Sequence, residues 1–342
     1  MTRRLGALPV AAEFLRRLDV AGTVDALCPS APSAHLTHGQ VIETLVANRL
    51  TSPMPLYRVG DWARTWAVEE VCGIEPDLLN DDRLARALDA IAPHLEMLAG
   101  TVGARAIAEF GIDCSRLHWD MTSMSVHGAY PEAGQDEDFP VIKFGHPKDR
   151  RVDLKQVQAG IAACADGGLP VHAKVFDGGA VEVSQIVGAM RDLRQLAGEQ
   201  EFLMVADSKL VSYTNISALL KAKVPFIAPV PAARISDGFY VSLEVDLATV
   251  VDWVPIRDAQ KDSDQRESYR VLEDVHVIST RRKSDPVLRL RRVLVHSTGN
   301  AAGQQAARDK RLAKAAEELD NLPAPRVAGT TRPRRRSRPA PG

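Results

Sequence analysis

The spacing of apolar residues changes near residue 112, and this change requires the two parts of the chain to fold differently. Before it, apolar residues recur at the spacing of one face of an amphipathic helix. Thr37 and Gln40 form a capping-box pattern ahead of one such stretch, and Asn80 precedes another. Residues 1–110 are therefore predicted to form a helical N-terminal domain. Its helices could serve only to bury their apolar faces, or they could also bind DNA.

After residue 112 the pattern predicts three strands in series, followed by a helix, a strand, a helix and a strand. The turn Asp166-Gly167-Gly168 lies between the second and third strands and is typical of a hairpin. The fourth strand is the apolar run FLMVA that ends at Asp207, as expected of a buried central strand. This order over 111–232 predicts an α/β fold, an RNase H-like mixed sheet flanked by helices. In such a sheet the first and fourth strands are neighbours.

Three further regions follow the predicted sheet. Residues 233–300 alternate apolar and polar positions in the stretches DGFYVSLEV, ESYRVLEDVHVIS and PVLRLRRVLVHS, which predicts a β-rich insertion. Residues 301–322 are rich in charges of both signs and predict an exposed connecting helix. The stretch 323–342 holds six arginines, five prolines and no acidic residue, so we expect it to be disordered.

The composition limits the class of protein. The chain is 45% hydrophobic, the balance of a globular protein, and it has no apolar stretch of about 18 residues that could span a membrane. The net charge of −1 does not indicate a nucleic-acid binder, although a balanced total can hide a basic groove. The cysteines lack metal-ligand spacing and are expected to be unpaired in a reducing cytoplasm: Cys28, Cys72, Cys114 and Cys164.

Two acidic residues on the predicted sheet are candidates for chemistry. Asp120 lies in the middle of the first strand, where a carboxylate is costly to bury unless it is paired or binds a cation. Asp207 follows the fourth strand, at an edge where acids often face a ligand crevice. Taken alone, each has a simpler explanation, Asp120 as the partner of a basic residue and Asp207 as a helix cap.

The two acids together favour a metal site. If their strands are neighbours, Asp120 and Asp207 lie side by side, and their repulsion favours a bridging divalent cation. Mg²⁺, with Mn²⁺ as the alternative ion, prefers such oxygen ligands and often uses one or two carboxylates with phosphate oxygens. Two such ions can stabilise the attacking and leaving oxygens of an in-line phosphoryl displacement.

The blocks HWDMTSMSVHGAY, RRVDLKQVQAGIAACADGGLPVHAKVFDGG and FLMVADSKLVS resemble successive core blocks of DDE transposases. The resemblance is to the bacterial insertion-sequence branch that carries a β-rich insertion before its glutamate, and it spans about 35 to 320. It implies that Asp120 and Asp207 are the first two catalytic acids. It further implies metal-dependent cleavage at terminal inverted repeats, strand transfer into target DNA, and action as a homodimer on double-stranded DNA.

The third acid of the family is not found. Its glutamate lies on a helix after the insertion, within a Y-x-x-R-like stretch, and nothing after Ser297 resembles that stretch. We therefore expect a C-terminally truncated chain with impaired cleavage and strand transfer. The alternatives are a non-catalytic DNA-binding remnant that occupies inverted repeats and, less well supported, a cellular RNase H-like nuclease. The tail over 323–342 fits an out-of-frame end, or else a basic arm that contacts DNA.

Four basic residues gather around the predicted second strand: Lys143, Arg150, Arg151 and Lys155. They could line the path of DNA, because phosphate contacts dominate nucleic-acid affinity. They could equally form a solvated charged face.

Overall fold

A computed structural model describes residues 2–131, 133–134 and 139–321 of the chain. The predicted disorder of 323–342 concerns residues outside these ranges. The chain divides into two compact units, Met1–Ser236 and Asp237–Gly342.

The first unit begins with seven α-helices between residues 8 and 110. Thr37 and Gln40 form the predicted capping box, and the Asn80 side chain accepts the backbone N–H of Arg83. Both caps satisfy amide donors that the first turn of a helix leaves without partners. The helices are α1 Leu8–Arg17, α2 Val20–Leu27, α3 His38–Thr51, α4 Val59–Thr65, α5 Val68–Cys72, α6 Asp81–Ile91 and α7 Leu95–Phe110.

These helices enclose an apolar core. Leu8, Trp62 and Leu84 are fully buried in it. Burying a large apolar side chain contributes about 1.5–3 kcal/mol, so this core is the main source of stability for the helical region.

A five-stranded mixed sheet follows, in the order β3-β2-β1-β4-β5. Strands β1 and β2 pair antiparallel, as do β2 and β3, whereas β4 is parallel to both β1 and β5. The prediction that the first and fourth strands are neighbours is confirmed. The strands are β1 Arg116–Val126, β2 Lys155–Cys164, β3 Pro170–Asp177, β4 Leu203–Ala206 and β5 Phe226–Ile227, with helices α8 Glu182–Ala197 and α9 Tyr213–Lys221 between them.

Strand β1 has one buried and one exposed face over its first half. Leu117, Trp119 and Met121 are buried, whereas the alternate residues are exposed. The ring of Trp119 lies over Gly160 of β2, where any Cβ would overlap it. Asp120 lies on the exposed face, because the alternation of side chains along a strand directs it to solvent.

The turn between β2 and β3 is the predicted one, and both its glycines have φ of +68°. That conformation favours glycine because it lacks a Cβ.

The cysteine prediction was wrong in part. Cys114 and Cys164 form a disulfide, because Cys164 lies opposite Leu117 in the β1–β2 register, near the chain that enters β1.

The second unit contains a three-stranded antiparallel sheet in the order β6-β7-β8. The stretch DGFYVSLEV was predicted to be a strand but begins with a helix, α10 Asp237–Val241. Its alternation did not reflect strand pairing: Phe239 instead packs beneath the guanidinium of Arg292, 4.3 Å from the ring centroid. The remaining elements are β6 Thr249–Val251, β7 Tyr269–Ile278, β8 Leu288–Ser297 and α11 Thr298–Asp320.

Candidate active site

The two predicted acids lie at the same level of the sheet. The parallel pairing of β1 with β4 runs from Arg116 opposite Leu203 to Trp119 opposite Ala206. Asp120 and Asp207 are the next residue on each chain. Neighbouring strands are about 4.8 Å apart, so the structure brings these two residues together although they are far apart in sequence.

The Asp120 carboxylate already has a cationic partner. Lys148 Nζ lies 3.0 Å from Oδ1 and 3.2 Å from Oδ2, so the ammonium contacts both oxygens. The backbone N–H of Met121 also donates to Oδ1, at 2.9 Å. The side chain of Asp120 remains 67% exposed, so solvent ions can reach it.

Asp207 follows β4 and begins a short 3₁₀ turn, Ser208–Leu210. Its Oδ1 accepts the backbone N–H of Lys209 at 2.9 Å, which holds the carboxylate at the strand end. This is the capping role that the sequence suggested for Asp207 alone. The cap leaves the second carboxylate oxygen available to another partner.

Lys209 connects this edge to a third carboxylate. Its ammonium forms an ion pair with Glu182, at the start of α8, whose side chain is 10% exposed. The hydrogen bond that Lys209 donates to the Glu182 carboxylate raises the pKa of Lys209, and the charges of Asp207 and Asp120 raise it further. Lys209 is therefore held as a cation beside both aspartates.

A loop between β1 and β2 carries Lys148 to the site. The backbone N–H of Lys148 donates to Ser123 Oγ at 2.9 Å, and Ser125 Oγ donates to Asp149 Oδ2 at 3.0 Å. Both serines belong to the part of β1 that extends past its pairing with β4. The loop is thereby fastened to the strand that carries Asp120.

Sequence reasoning missed Lys148, Lys209 and Glu182. Lys148 follows His146 and Pro147 in an irregular loop, where no periodicity indicates the direction of a side chain. Lys209 gave a usable signal, since it is two residues from a predicted site acid. Glu182 gave a weaker one, as an acid in the first turn of a predicted helix.

The four predicted DNA-binding residues are mostly engaged within the protein. Lys143 pairs with Asp177 at 2.8 Å and lowers the pKa of that carboxyl, and Arg151 lowers the pKa of Asp153 to about 2. Lys155 donates to the carbonyl of Ala129 at 2.5 Å. Arg150 has a left-handed backbone conformation, with φ of +62°. The structure thus places these residues near one another but does not gather their charges into one free basic cluster.

The donor set at the strand ends fits a divalent metal ion held by few protein ligands. Asp120 and Asp207 offer hard carboxylate oxygens, which Mg²⁺ prefers, and an ammonium already lies on one of them in the place of a cation. Within the described ranges, no group of three or more His, Cys, Asp or Glu side chains is arranged to hold a metal. A metal here would need further ligands from water or substrate.

Comparison with known proteins gives one family match. Residues 1–97 match the model of a domain of unknown function, DUF4277. A search of curated proteins finds no match. No helix in the described part of the chain combines the length and apolar character needed to cross a membrane.

Several solved structures are similar to this chain at low identity. The piggyBac transposase in a synaptic complex with hairpin DNA aligns over 83% of this chain and 60% of its own, with 10% identity and a TM-score of 0.38. The Mos1 mariner paired-end complex with Mn aligns over 66% of this chain and 77% of its own, with 10% identity and a TM-score of 0.23. This chain therefore spans less than two thirds of the piggyBac chain. At TM-scores this low, the likenesses carry no argument about this protein.

Proposed function

We propose that this protein is a relative of the DDE transposases of bacterial insertion sequences, with an RNase H-like core that acts on DNA phosphodiesters. The observation that carries the proposal is the position of Asp120 on β1 and of Asp207 directly after β4, the parallel neighbour of β1, at the same level. The blocks that resemble DDE transposases contain both residues. The resemblance and the strand order thus single out the same two acids. This favours the proposed function over a chance pair of surface acids.

The two aspartates would hold Mg²⁺, or Mn²⁺ in its place, together with phosphate oxygens of the DNA. When bound, the metal would supply Lewis-acid stabilisation of the oxygens that exchange at phosphorus. Asp207 is oriented for this role by its cap to the N–H of Lys209, and Asp120 by the N–H of Met121. In the cleavage reaction a water oxygen bonds to phosphorus and the bond to the 3′ oxygen breaks. One proton is lost from the water and one is gained by the leaving oxygen.

The proposed partner is double-stranded DNA, both at terminal inverted repeats and at a target, and the proposed active form is a homodimer. Lys148 and Lys209 place two ammonium groups beside the carboxylates, where a DNA backbone would approach. Since phosphate contacts dominate nucleic-acid affinity, these residues suit a DNA substrate despite the net charge of −1.

Metal-dependent nicking of supercoiled plasmid tests the proposal. We expect Asp120→Asn and Asp207→Asn each to reduce nicking by about 100-fold or more, the scale of misplacing reacting groups. Asp153→Asn is the matched control, because Asp153 is also an exposed, ion-paired acid but pairs with Arg151 away from the strand ends. Nicking that survives in both site variants would refute the assignment.

A non-catalytic DNA-binding protein is the second candidate. It is favoured by the two ion pairs at the site, because Asp120 and Glu182 already have internal cations. It predicts salt-sensitive binding to inverted-repeat DNA with no strand cleavage at any concentration of Mg²⁺ or Mn²⁺. Any metal-dependent nicking lost in Asp120→Asn would exclude it.

A further inference from the structure

We propose that Lys148 is an exchangeable cation, which neutralises Asp120 in the metal-free protein and contacts a DNA phosphate once a divalent metal takes its place. The inference rests on the proposed function, because it assumes metal binding at Asp120 and Asp207. It goes beyond that function by making metal loading at Asp120 and the contact of Lys148 with DNA interdependent.

The position of the ammonium supports competition with a metal. Lys148 Nζ is within 3.2 Å of both oxygens of Asp120, so it covers the carboxylate where another cation would bind. The pair is exposed, with 48% of the Lys148 side chain accessible to solvent. Exposed ion pairs are weak, so a divalent ion can displace this one at modest cost.

The backbone of Lys148 does not depend on that ion pair. Its N–H donates to Ser123, and the neighbouring Asp149 accepts from Ser125. A lysine side chain carries a compact charge on a flexible four-carbon stem. The ammonium can therefore leave Asp120 and remain tethered beside the site while the loop stays on β1.

The local charge balance explains why the displaced ammonium would meet a phosphate. The carboxylates of Asp120, Asp207 and Glu182 contribute three negative charges. The ammonium groups of Lys148 and Lys209 contribute two positive charges, so the net charge of these five groups is −1. One divalent cation changes that sum to +1. The edge then attracts a phosphate that it repelled before, and Lys148 has lost its carboxylate partner.

Mn²⁺ titration of the full chain tests the first half of the inference. We expect Lys148→Met to lower the Kd for Mn²⁺ about fivefold, the upper end for loss of an exposed competing ion pair. Lys148→Arg, which keeps the charge, should remain close to the parent protein. The matched control is Lys174→Met, which removes an ammonium paired with Glu96 at 3.2 Å on another strand. It should leave the Kd unchanged.

DNA binding tests the second half of the inference. Here the effect of Lys148→Met on affinity should be opposite to its effect on Mn²⁺ binding. A random-sequence duplex is titrated at several salt concentrations with Mn²⁺ present, and the DNA is checked for strand breaks after each titration. We expect Lys148→Met to weaken binding and to reduce the salt slope by about one, the effect of one lost phosphate contact. Without metal, where Lys148 is held by Asp120, the slope should not change.

The outcomes separate the two proposals. Mn²⁺ binding that is lost in Asp120→Asn but unchanged in Lys148→Met overturns the role of Lys148 and leaves the metal site standing. Mn²⁺ binding in Lys148→Met but not in the parent protein supports the inference strongly. No Mn²⁺ binding in either protein overturns both. Circular dichroism of each variant checks that the fold is retained.

Discussion

The helical region and the second unit are held together by different forces. The helices α1–α7 surround fully buried side chains such as Trp62 and Leu84. In the described part of the second unit, the buried apolar residues are Ala248, Pro255, Ile278 and Leu288. Its strands instead carry ion pairs across β7 and β8, such as Arg291 with Glu273, and exposed valines such as Val275 and Val295.

The two regions should therefore tolerate different changes. A core built from apolar contacts is sensitive to lost volume and insensitive to salt or pH. A small sheet laced with charges depends on solvent conditions, and the contribution of each ion pair depends on how far it is removed from water. The following variants separate these cases.

Loss of volume in the helical core should have the largest effect. Trp62→Ala should lower the free energy of unfolding of the first unit by about 3–5 kcal/mol, since it removes a fully buried ring. Trp253→Ala is the matched control in the second unit, where the ring is 56% exposed and the loss should be far smaller. Hydrogen exchange resolved by segment measures both. Equal losses would contradict the contrast drawn here.

The next largest loss of stability is expected from substitution of one of two neighbouring arginines on β8. Arg292 is 12% exposed, is bonded to Asp274 and covers the ring of Phe239, whereas Arg291 is 73% exposed and pairs with Glu273. We expect Arg292→Met to destabilise the second unit by about 1–3 kcal/mol, the range for a charged hydrogen bond left without its partner. Arg291→Met should cost about 0–1 kcal/mol. The same exchange measurement compares them, and a larger effect at Arg291 would refute the ranking.

Acid should weaken the second unit through Glu267. Hydrogen bonds from Ser297, Tyr269 and Arg257 lower the pKa of Glu267 from 4.5 to about 2. Because the pKa is lower in the folded state, the stabilisation is complete above the ordinary pKa and is lost as pH falls from about 4.5 toward 2.

The variant Glu267→Gln should therefore lose less stability than the parent protein between neutral pH and the acid range. Chemical unfolding at a series of pH values measures the difference. Glu318→Gln, at an exposed acid on α11, is the control and should follow the parent curve. An unchanged acid response in Glu267→Gln would show that other groups dominate.

The sequence could predict the strands of the sheet because their types follow from the hydrophobic period, and the order of the elements along the chain predicted that the first and fourth strands are neighbours. The run before Asp207 and the alternation around Asp120 determine which strands are central and which residues face solvent. The contact between Asp120 and Lys148 could not be predicted in this way, because an irregular loop carries the lysine. A loop has no repeating geometry from which the direction of a side chain can be read.

The other missed features have the same origin in tertiary contact. Helix α10 replaced a predicted strand because Phe239 packs with Arg292, a residue far along the chain. The bond between Cys114 and Cys164 depends on the register of β1 against β2, which spacing of cysteines does not reveal. The pattern of residues within a segment predicted whether it forms a helix or a strand. Where the structure differs from the prediction, contacts between distant segments are the cause.

The fit of Trp119 over Gly160 has a consequence for genetics. Trp119 immediately precedes Asp120, and its ring occupies the space that a Cβ at Gly160 would need. A side chain at Gly160 would push the ring away and move the aspartate out of line with Asp207, without changing any charged group. We therefore expect a screen for inactive mutants to recover Gly160, a site that an inspection of acidic and basic residues alone would pass over.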